Sequence, residues 1–418
     1  MNVSSTDETT HADVLCETMI GELRVMGAIR SDRVAEVFRA VPRHLFAPGA
    51  PLEAVYAATD SVVLKRDEHG VPISTVTAPE LQAFMLEQAD LRAGMNVLEI
   101  GSGGVNAAMM GWLVGSEGTV TTVDIDPEVT DRAGGLLDAT GYSRVNVVLA
   151  DAENGVPEHA PYDRIIVTVG AWDIPPAWVG QLAPGGRIVV PLRMRGLTRS
   201  LALDREGNHL VSRSAMVCGF VRMQGTGANL GQVLPLRGTD IELRFDDGWS
   251  EGHLPELDGV LGTQRAEVWS GVTIGGLESF ETLQFWLATT FPGFCRLTAD
   301  AAQSSCLVHP GNRWYDLAAV DGDSFAYLTT RRVEPGKSEF GAHAFGPHAS
   351  TAAQALAEQV RVWDRDRRGG PGPDFAVWPK DTPDEVLPRG LIINKRYHRV
   401  TITWPAATTT ASGQGNRA

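Results

Sequence analysis

The amino-acid sequence predicts an α/β protein in which a doubly wound, mostly parallel sheet is followed by an α+β domain. Short runs rich in Val and Ile alternate with helical segments between residues 95 and 190, which is typical of parallel strands buried on both faces. The chain has 418 residues, more than one hydrophobic core usually serves, so two domains are expected. After residue 223 a glycine-rich stretch leads into short alternating segments with many tryptophans.

Hydrophobic periodicity gives the elements of the first part. Apolar residues at helical spacing predict helices within 11–40, and Ser31 is placed to cap the second of them. The predicted strands are 96–100, 119–124, 145–149, 164–169 and 187–190, and the helices between them are 107–114, 127–140 and 176–182. Since strands and helices alternate, the carboxyl ends of the strands are expected to form the ligand-binding edge.

Four segments are predicted along the chain. They are the N-terminal helices and first sheet (1–223), a linker (224–234), the α+β domain (235–405) and a polar, disordered tail (406–418). Within the α+β domain, a helix is expected from about residue 350 to residue 363, and strands are expected at 391–393 and 400–403.

Composition excludes several classes of protein. A formal net charge of −15 opposes binding to nucleic acids and to anionic membranes, because both are negatively charged. No apolar run is long enough to span a bilayer, and the first ten residues lack the pattern of a secretion signal. The four cysteines are scattered without a C-x-x-C pair, so no metal site or disulfide framework is predicted and a cytoplasmic location is expected.

Three loops at the carboxyl ends of the predicted strands form a candidate site for a nucleoside cofactor. In the first loop, Gly101 and Gly103 let the backbone approach a ligand closely. Asp124 ends the second strand, where it can accept hydrogen bonds from two ribose hydroxyls, and Asp151 ends the third, where it can accept from an adenine amino group. The residues predicted to bind the cofactor are Glu99, Ile100, Gly101, Ser102, Gly103, Asp124, Ile125, Asp151, Ala152, Thr168 and Val169.

A glycine loop that is followed by an acidic residue about 20 residues later suits two cofactors. These are NAD and S-adenosylmethionine. The third glycine of the dinucleotide motif would fall on Asn106. Glu99 would repel a pyrophosphate, whereas the methionine part of S-adenosylmethionine carries an ammonium and a sulfonium. We therefore predict S-adenosylmethionine and methyl transfer, and an NAD enzyme or a purely structural glycine turn are the weaker alternatives.

The motifs resemble those of the protein-L-isoaspartate O-methyltransferase family over roughly residues 12–220. Residues 41–48 read V-P-R-H-L-F-A-P, like the family's V-P-R-x-x-F-x-P, and residues 76–79 stand where the family has T-I-S-x-P. Residues 98–103 match its cofactor loop, while residues 150–155 keep only part of its G-D-G-x-x-G segment. The resemblance implies the class I S-adenosylmethionine-dependent methyltransferase fold, and it assigns Thr77, where the family usually has serine, as the catalytic residue.

A carboxylate acceptor agrees with the chemistry of these residues. A carboxylate with a pKa of about 4 is already ionised at pH 7 and needs no general base, and no histidine near the motifs has a partner acid at a suggestive spacing. The residues predicted to bind the substrate are Ser74, Thr75, Val76, Ala78, Arg193 and Arg195. For residues 74–77 the alternative is a polar turn before a helix at Pro79, and for the arginines it is a solvated loop.

The long C-terminal region is similar to a branch of the family that occurs with ribosomally synthesised peptides, the FxLD-system methyltransferases. That resemblance implies methylation of an aspartate side chain in a lanthipeptide or graspetide, followed by formation of aspartimide or isoaspartate. The expected partner is a precursor peptide that is already cyclised. The alternatives are repair of isoaspartate in damaged proteins, a non-catalytic binding module and a small-molecule methyltransferase.

Overall fold

The computed structural model describes residues 3–237, 241–249, 255–276, 278–299 and 316–406. Its helices are α1 (Val3–Val25), α2 (Asp32–Ala40), α3 (Leu52–Val55), α4 (Pro79–Ala89), α5 (Val105–Val114), α6 (Pro127–Ala139), α7 (Pro176–Gly180), α8 (Glu281–Thr290) and α9 (Ala349–Asp366). The strands before residue 220 are β1 (Val62–Arg66), β2 (Pro72–Val76), β3 (Asn96–Ile100), β4 (Thr119–Asp124), β5 (Asn146–Leu149), β6 (Tyr162–Val167), β7 (Leu182–Met194), β8 (Leu197–Glu206) and β9 (His209–Val217). The later strands are β10 (Gln232–Arg237), β11 (Ile241–Phe245), β12 (Ala266–Gly275), β13 (Phe294–Ala299), β14 (Leu317–Asp321), β15 (Ser324–Glu334), β16 (Lys337–Phe345), β17 (Asp374–Pro379), β18 (Leu391–Asn394) and β19 (His398–Thr403).

A ten-stranded sheet forms the centre of the molecule, in the order β18-β19-β17-β9-β8-β7-β6-β3-β4-β5. The five strands from β7 to β5 are parallel, as predicted. Neighbouring residues of one strand belong to different hydrophobic cores: Ile165 lies in the core that includes residues of α7 and α9, and Ile166 lies in the core that includes residues of α1, α2, α4 and α5. The sheet is therefore covered on both faces, which explains why its parallel strands read as continuous apolar runs.

The β-rich C-terminal region forms a second, antiparallel sheet in the order β10-β11-β13-β14-β15-β16-β12. Trp363 of α9 and Phe285 of α8 lie in the same hydrophobic core as Ile188 of β7. The two sheets consequently share one core, and α8 and α9 contribute to it.

The sheet connectivity corrects the predicted domain boundaries. The strands expected at 391–393 and 400–403 are β18 and β19, which join the first sheet rather than an independent domain at 235–405. The link is β17, whose Val377 pairs with Leu210 of β9 and thereby covers an edge that would otherwise stay unpaired. Strand β10 begins at Gln232, inside the predicted linker 224–234.

The predicted cap at the start of the second helix is present in the structure. The hydroxyl of Ser31 accepts a hydrogen bond from the backbone N–H of Val34 and caps α2, as predicted. The predicted disordered tail, 406–418, lies outside the described residues from 407 onward. Among the residues that the model describes, no helix combines the length and apolar character needed to cross a membrane.

Candidate active site

The loop between β3 and α5 lies against the end of β6. Gly101 has φ +95°, and a Cβ there would lie 2.6 Å from Oγ1 of Thr168. Thr168 donates from that oxygen to the carbonyl oxygen of Gly101 at 2.8 Å. The close approach and the positive φ together require glycine at this position.

Asp124, at the end of β4, orders the same loop. Its Oδ2 accepts from the backbone N–H of Ser102 at 2.9 Å, and its Oδ1 accepts from that of Asp126 at 3.0 Å. Burial raises the pKa of Asp124. Each carboxylate oxygen retains a lone pair, so the group can still accept hydrogen bonds from a ligand.

Glu99 is fully buried beneath the loop. Asn106 donates to its Oε1 at 2.9 Å, and the hydroxyl of Thr122 donates to its Oε2 at 2.6 Å. Burial raises the pKa of Glu99 to about 7. A cation bound beside this carboxylate would favour its ionised form.

Two adjoining cavities bring together all eleven residues predicted to bind the cofactor. Gly101, Asp124 and Val169 line both cavities. The first cavity is also lined by Glu99, Ser102, Gly103 and Thr168, and the second by Ile100, Ile125, Asp151 and Ala152. The role of each residue in binding stays a prediction, although the geometry makes a shared ligand possible.

The residues around the first cavity fit a polar cofactor such as S-adenosylmethionine. Oγ of Ser102 and Nε2 of Gln82 are buried and have no hydrogen-bond partner among the described residues. Since an unpartnered buried polar atom is costly, both atoms are suited to a ligand with polar groups. Gln82 is not among the predicted site residues; its signal in the sequence is a polar residue on the face of α4 that is otherwise buried.

A glycine-containing segment after β9 covers the second cavity. The backbone N–H of Thr226 donates to Oδ2 of Asp151 at 2.8 Å, and the backbone N–H of Glu153 donates to Oδ1 of the same carboxylate at 3.0 Å. Gly225, with φ +71°, lies so close that a Cβ would approach the Asp151 carboxylate to 2.6 Å. Residues 223–227 are called the strap below.

The segment 74–77 separates the first cavity from a larger groove. Thr75 and Thr77 are half-buried and line both spaces. Ser74 lines only the cavity, and its hydroxyl accepts from Arg132 at 3.0 Å. Ala78 lines only the groove.

Arg43 links the 41–48 motif to this segment. Its fully buried guanidinium donates from Nη2 to the carbonyl of Thr77 at 2.9 Å, from Nη1 to Oε1 of Gln82 at 2.5 Å and from Nε to the carbonyl of Val55 at 2.7 Å. Burial lowers the pKa of Arg43 to about 10. These bonds fix the backbone of Thr77, which gives the motif a positioning role that the resemblance alone did not supply.

Three of the predicted substrate residues line neither the first cavity nor the groove. The side chain of Val76 is fully buried in the N-terminal core because side chains alternate along β2. Arg193 is buried in an ion pair with Asp246 at 2.6 Å. Arg195 donates to the carbonyls of Phe291 and Pro292, both at 2.7 Å.

Arg193 and Arg195 therefore connect β7 to the C-terminal region instead of binding a substrate. Oδ2 of Asp247 also accepts from the backbone N–H of Arg195, and its Oδ1 pairs with the buried Lys395 at 2.9 Å. The solvated-loop alternative is wrong as well, since these arginines have protein partners. Their partners lie in a distant part of the chain, which local sequence patterns do not specify.

The groove has a volume of about 1010 Å³ and lies between the β1–β2 hairpin and residues 219–230. This volume is at the upper end of the roughly 300–1,000 Å³ that small-molecule sites occupy. Arg222, Met223 and Leu230 line one wall, and Arg244 of β11 joins them. The sequence offered no signal for Arg222, since a single arginine after a strand forms no pattern.

In the part of the chain that the structure describes, no group of three or more His, Cys, Asp or Glu side chains is placed to hold a metal ion. Cys16, Cys218 and Cys295 are free thiols, and burial raises the pKa of each. Cys306 lies outside the described residues.

Comparison with known proteins shows the family to which the chain belongs. The model of the family described as protein-L-isoaspartate(D-aspartate) O-methyltransferase matches residues 15–227. The protein-L-isoaspartate O-methyltransferase of Methanopyrus kandleri is 38% identical over 215 residues, covering 50% of this chain and 91% of the relative. The protein of the same name from Ignicoccus hospitalis is 41% identical over 178 residues (42% and 80% coverage), and that of Methanococcoides burtonii is 42% identical over 178 residues (42% and 82%).

Proposed function

Because the chain belongs to the protein-L-isoaspartate(D-aspartate) O-methyltransferase family, it is an S-adenosylmethionine-dependent carboxyl O-methyltransferase, and we propose that it methylates an aspartate side-chain carboxylate in a ribosomally synthesised, modified peptide. One observation supports a peptide acceptor above the others: Thr75 and Thr77 line both the cofactor cavity and the groove of about 1010 Å³. A carboxylate held at these hydroxyls would face both spaces.

The cofactor would be held by the residues around the two cavities. Asp124 would accept from the ribose hydroxyls, Asp151 would accept from the adenine amino group, and Glu99 would lie near the ammonium. When bound, S-adenosylmethionine supplies an activated methyl group on a positively charged sulfur. Glu99 is fully buried and Asp124 is partly buried, and the reduced contact with water would strengthen these electrostatic contacts.

The acceptor side requires positioning rather than proton transfer. An aspartate carboxylate is ionised at neutral pH, so no residue has to act as a base. The hydroxyls of Thr75 and Thr77 would donate to the oxygen that does not react, and Arg43 keeps the backbone of Thr77 in place. Correct orientation of two reactants can account for several kcal/mol of the barrier.

Peptide maturation is preferred over repair because the groove includes residues beyond the part that the family shares. The family model ends at residue 227, whereas Leu230 and Arg244 also line the groove. A wall from the C-terminal region would recognise features of one peptide, and repair of many damaged proteins needs little such recognition. The names of the curated relatives favour repair, which is the second candidate function.

Mass spectrometry after incubation with S-adenosylmethionine tests the proposal. The substrates are the peptide encoded beside the gene, in linear and cyclised forms, and a generic isoaspartyl peptide. We expect one added methyl group on the cyclised peptide, followed by loss of methanol as aspartimide forms. Equally efficient methylation of the generic isoaspartyl peptide would overturn the maturation role and establish repair.

A further inference from the structure

Arg222 stands at the boundary between the groove and the second cofactor cavity, and it lines both. Its backbone is held on each side: Gly170 donates to the carbonyl of Val221 at 2.7 Å, and Met223 donates to the carbonyl of Gly170 at 3.2 Å. The side chain of Met223 is buried, whereas that of Arg222 is exposed. A fixed backbone therefore presents an accessible guanidinium to the groove.

The cations near Arg222 are already neutralised by protein carboxylates. Arg193 pairs with Asp246, and Arg244 pairs with Glu242. Arg222 has no ion-pair partner within the described residues. Partial desolvation of the guanidinium, and then the positive charges of Arg193 and Arg244, lower its pKa, and the negative charge of Asp246 opposes this shift.

Only one acidic residue is found among the groove-lining residues that the model describes. This is Asp67, whose Oδ1 accepts from the backbone amides of His69 and Val71 in the β1–β2 turn. Because Arg244 is paired with Glu242, Arg222 on the opposite wall is the remaining cation of the groove, and with Asp67 it makes the groove close to neutral in a chain whose formal net charge is −15. A local cation in so acidic a protein attracts an anionic ligand that the rest of the surface repels.

We infer that Arg222 is a specificity-determining residue that binds a second carboxylate of the peptide substrate, on a residue close to the methyl acceptor. This inference rests on the proposed function, and it adds that the preferred peptide is acidic beside its acceptor. A guanidinium matches a carboxylate in shape and can donate two parallel hydrogen bonds to it.

The acceptor carboxylate itself is the weaker choice of partner for Arg222. Methyl transfer removes the negative charge of the acceptor, so an ion pair with that group stabilises the ground state more than the transition state. A carboxylate that does not react keeps its charge throughout. Its ion pair with Arg222 consequently aids binding without slowing the reaction.

A set of matched peptides tests this assignment. Each peptide carries one acceptor aspartate and a single glutamate at one of the two positions before or after it, and each has a counterpart with glutamine. We would measure KM and kcat for the wild type, R222Q and R222K. Peptide affinity would be measured separately by fluorescence anisotropy with S-adenosylhomocysteine present, which cannot react.

The wild type should prefer the best glutamate peptide over its glutamine counterpart by roughly 3- to 10-fold, mainly through KM, as expected for a partly exposed charge pair. R222Q should lose this preference because its KM for the glutamate peptide rises much more than its KM for the glutamine peptide, and R222K should retain part of the preference. Arg205→Gln changes an exposed arginine of β8 outside the groove and should leave the preference intact.

Three outcomes would overturn the inference. The wild type could show no preference for the glutamate peptide, or R222Q could keep an unchanged preference. R222Q could also lose activity equally with the glutamate and glutamine peptides, which would indicate a merely structural role. A failure of the proposed function is distinguishable, because no peptide would then be methylated. The anisotropy measurements would still report whether Arg222 selects the acidic peptides.

Discussion

The cofactor side and the acceptor side of the site are built in different ways. All eleven predicted cofactor residues lie between Glu99 and Val169, on consecutive β-α units of one parallel sheet. The groove combines a hairpin before that sheet with residues 219–230 and Arg244 after it. The cofactor side therefore depends on local structure, whereas the acceptor side depends on contacts between distant parts of the chain. Substitutions on the two sides should have separable effects.

The largest difference between the effect on turnover and the effect on cofactor affinity is expected from Thr77→Val. This change removes one hydroxyl that lines both spaces, and a hydrogen bond to a charged group contributes about 1.5–3 kcal/mol. Turnover should fall roughly 100-fold, while the dissociation constant of S-adenosylhomocysteine stays within about twofold. Single-turnover assays and calorimetry would measure the two quantities. Thr77→Ser is the control and should keep most of the activity; an equal loss of turnover and affinity in Thr77→Val would contradict the assignment.

Asp124→Asn should produce the opposite pattern. It removes the negative charge that accepts from the amides of Ser102 and Asp126 and that is proposed to accept from the ribose. Cofactor affinity should fall by roughly 30-fold, given the strength of hydrogen bonds to charged acceptors. Affinity for the peptide should not change, as anisotropy would show. A parallel loss of peptide affinity would mean that the two sides are not independent.

The difference between local structure on the cofactor side and long-range contacts on the acceptor side also explains which features could be predicted from the sequence. The parallel strands, the loop at Gly101 and the cap at Ser31 follow from local periodicity and from residue types with strong backbone preferences. Arg193 and Arg195 were misjudged because their partners, Asp246 and Asp247 among them, come from the C-terminal region. Local patterns carry no information about such pairings.

The return of β17–β19 to the first sheet is a second case of the same kind. The alternating pattern of these strands was visible, but which sheet edge they would join was not. Arg43 illustrates an intermediate case, because its motif was recognised while its hydrogen bond to the carbonyl of Thr77 appears only in three dimensions.

Glu99→Gln tests whether Glu99 makes cofactor affinity depend on pH. The pKa of Glu99 is raised to about 7 by burial, so the carboxyl is protonated below pH 7 and must lose its proton to pair with the cofactor's ammonium. Affinity of the wild type for S-adenosylhomocysteine should therefore rise about tenfold from pH 6 to pH 8. In Glu99→Gln this titration is absent, and calorimetry should show a flatter profile. An identical profile for both proteins would exclude Glu99 as the source.

The smallest effect is expected where the two sides meet, at the strap. Arg396 follows β18 and donates from Nη1 to the carbonyl of Thr226 at 2.7 Å, and it lies 3.9 Å from Oε1 of the buried Glu153. Because Thr226 also donates to Asp151, Arg396 connects the C-terminal region to the cover of the cofactor cavity. Arg396→Ala should raise the dissociation rate of S-adenosylhomocysteine roughly threefold, as expected for one largely exposed hydrogen bond.

Stopped-flow displacement would measure this rate, and the association rate should rise with it, since loosening a cover eases both entry and exit. Arg396→Lys keeps the charge beside Glu153 and should restore part of the wild-type rate. A faster dissociation in Arg396→Ala without any change in association would indicate lost binding contacts instead. Unchanged dissociation and association rates in Arg396→Ala would mean that the C-terminal region influences the acceptor groove alone, and the separation between the two sides of the site would then be complete.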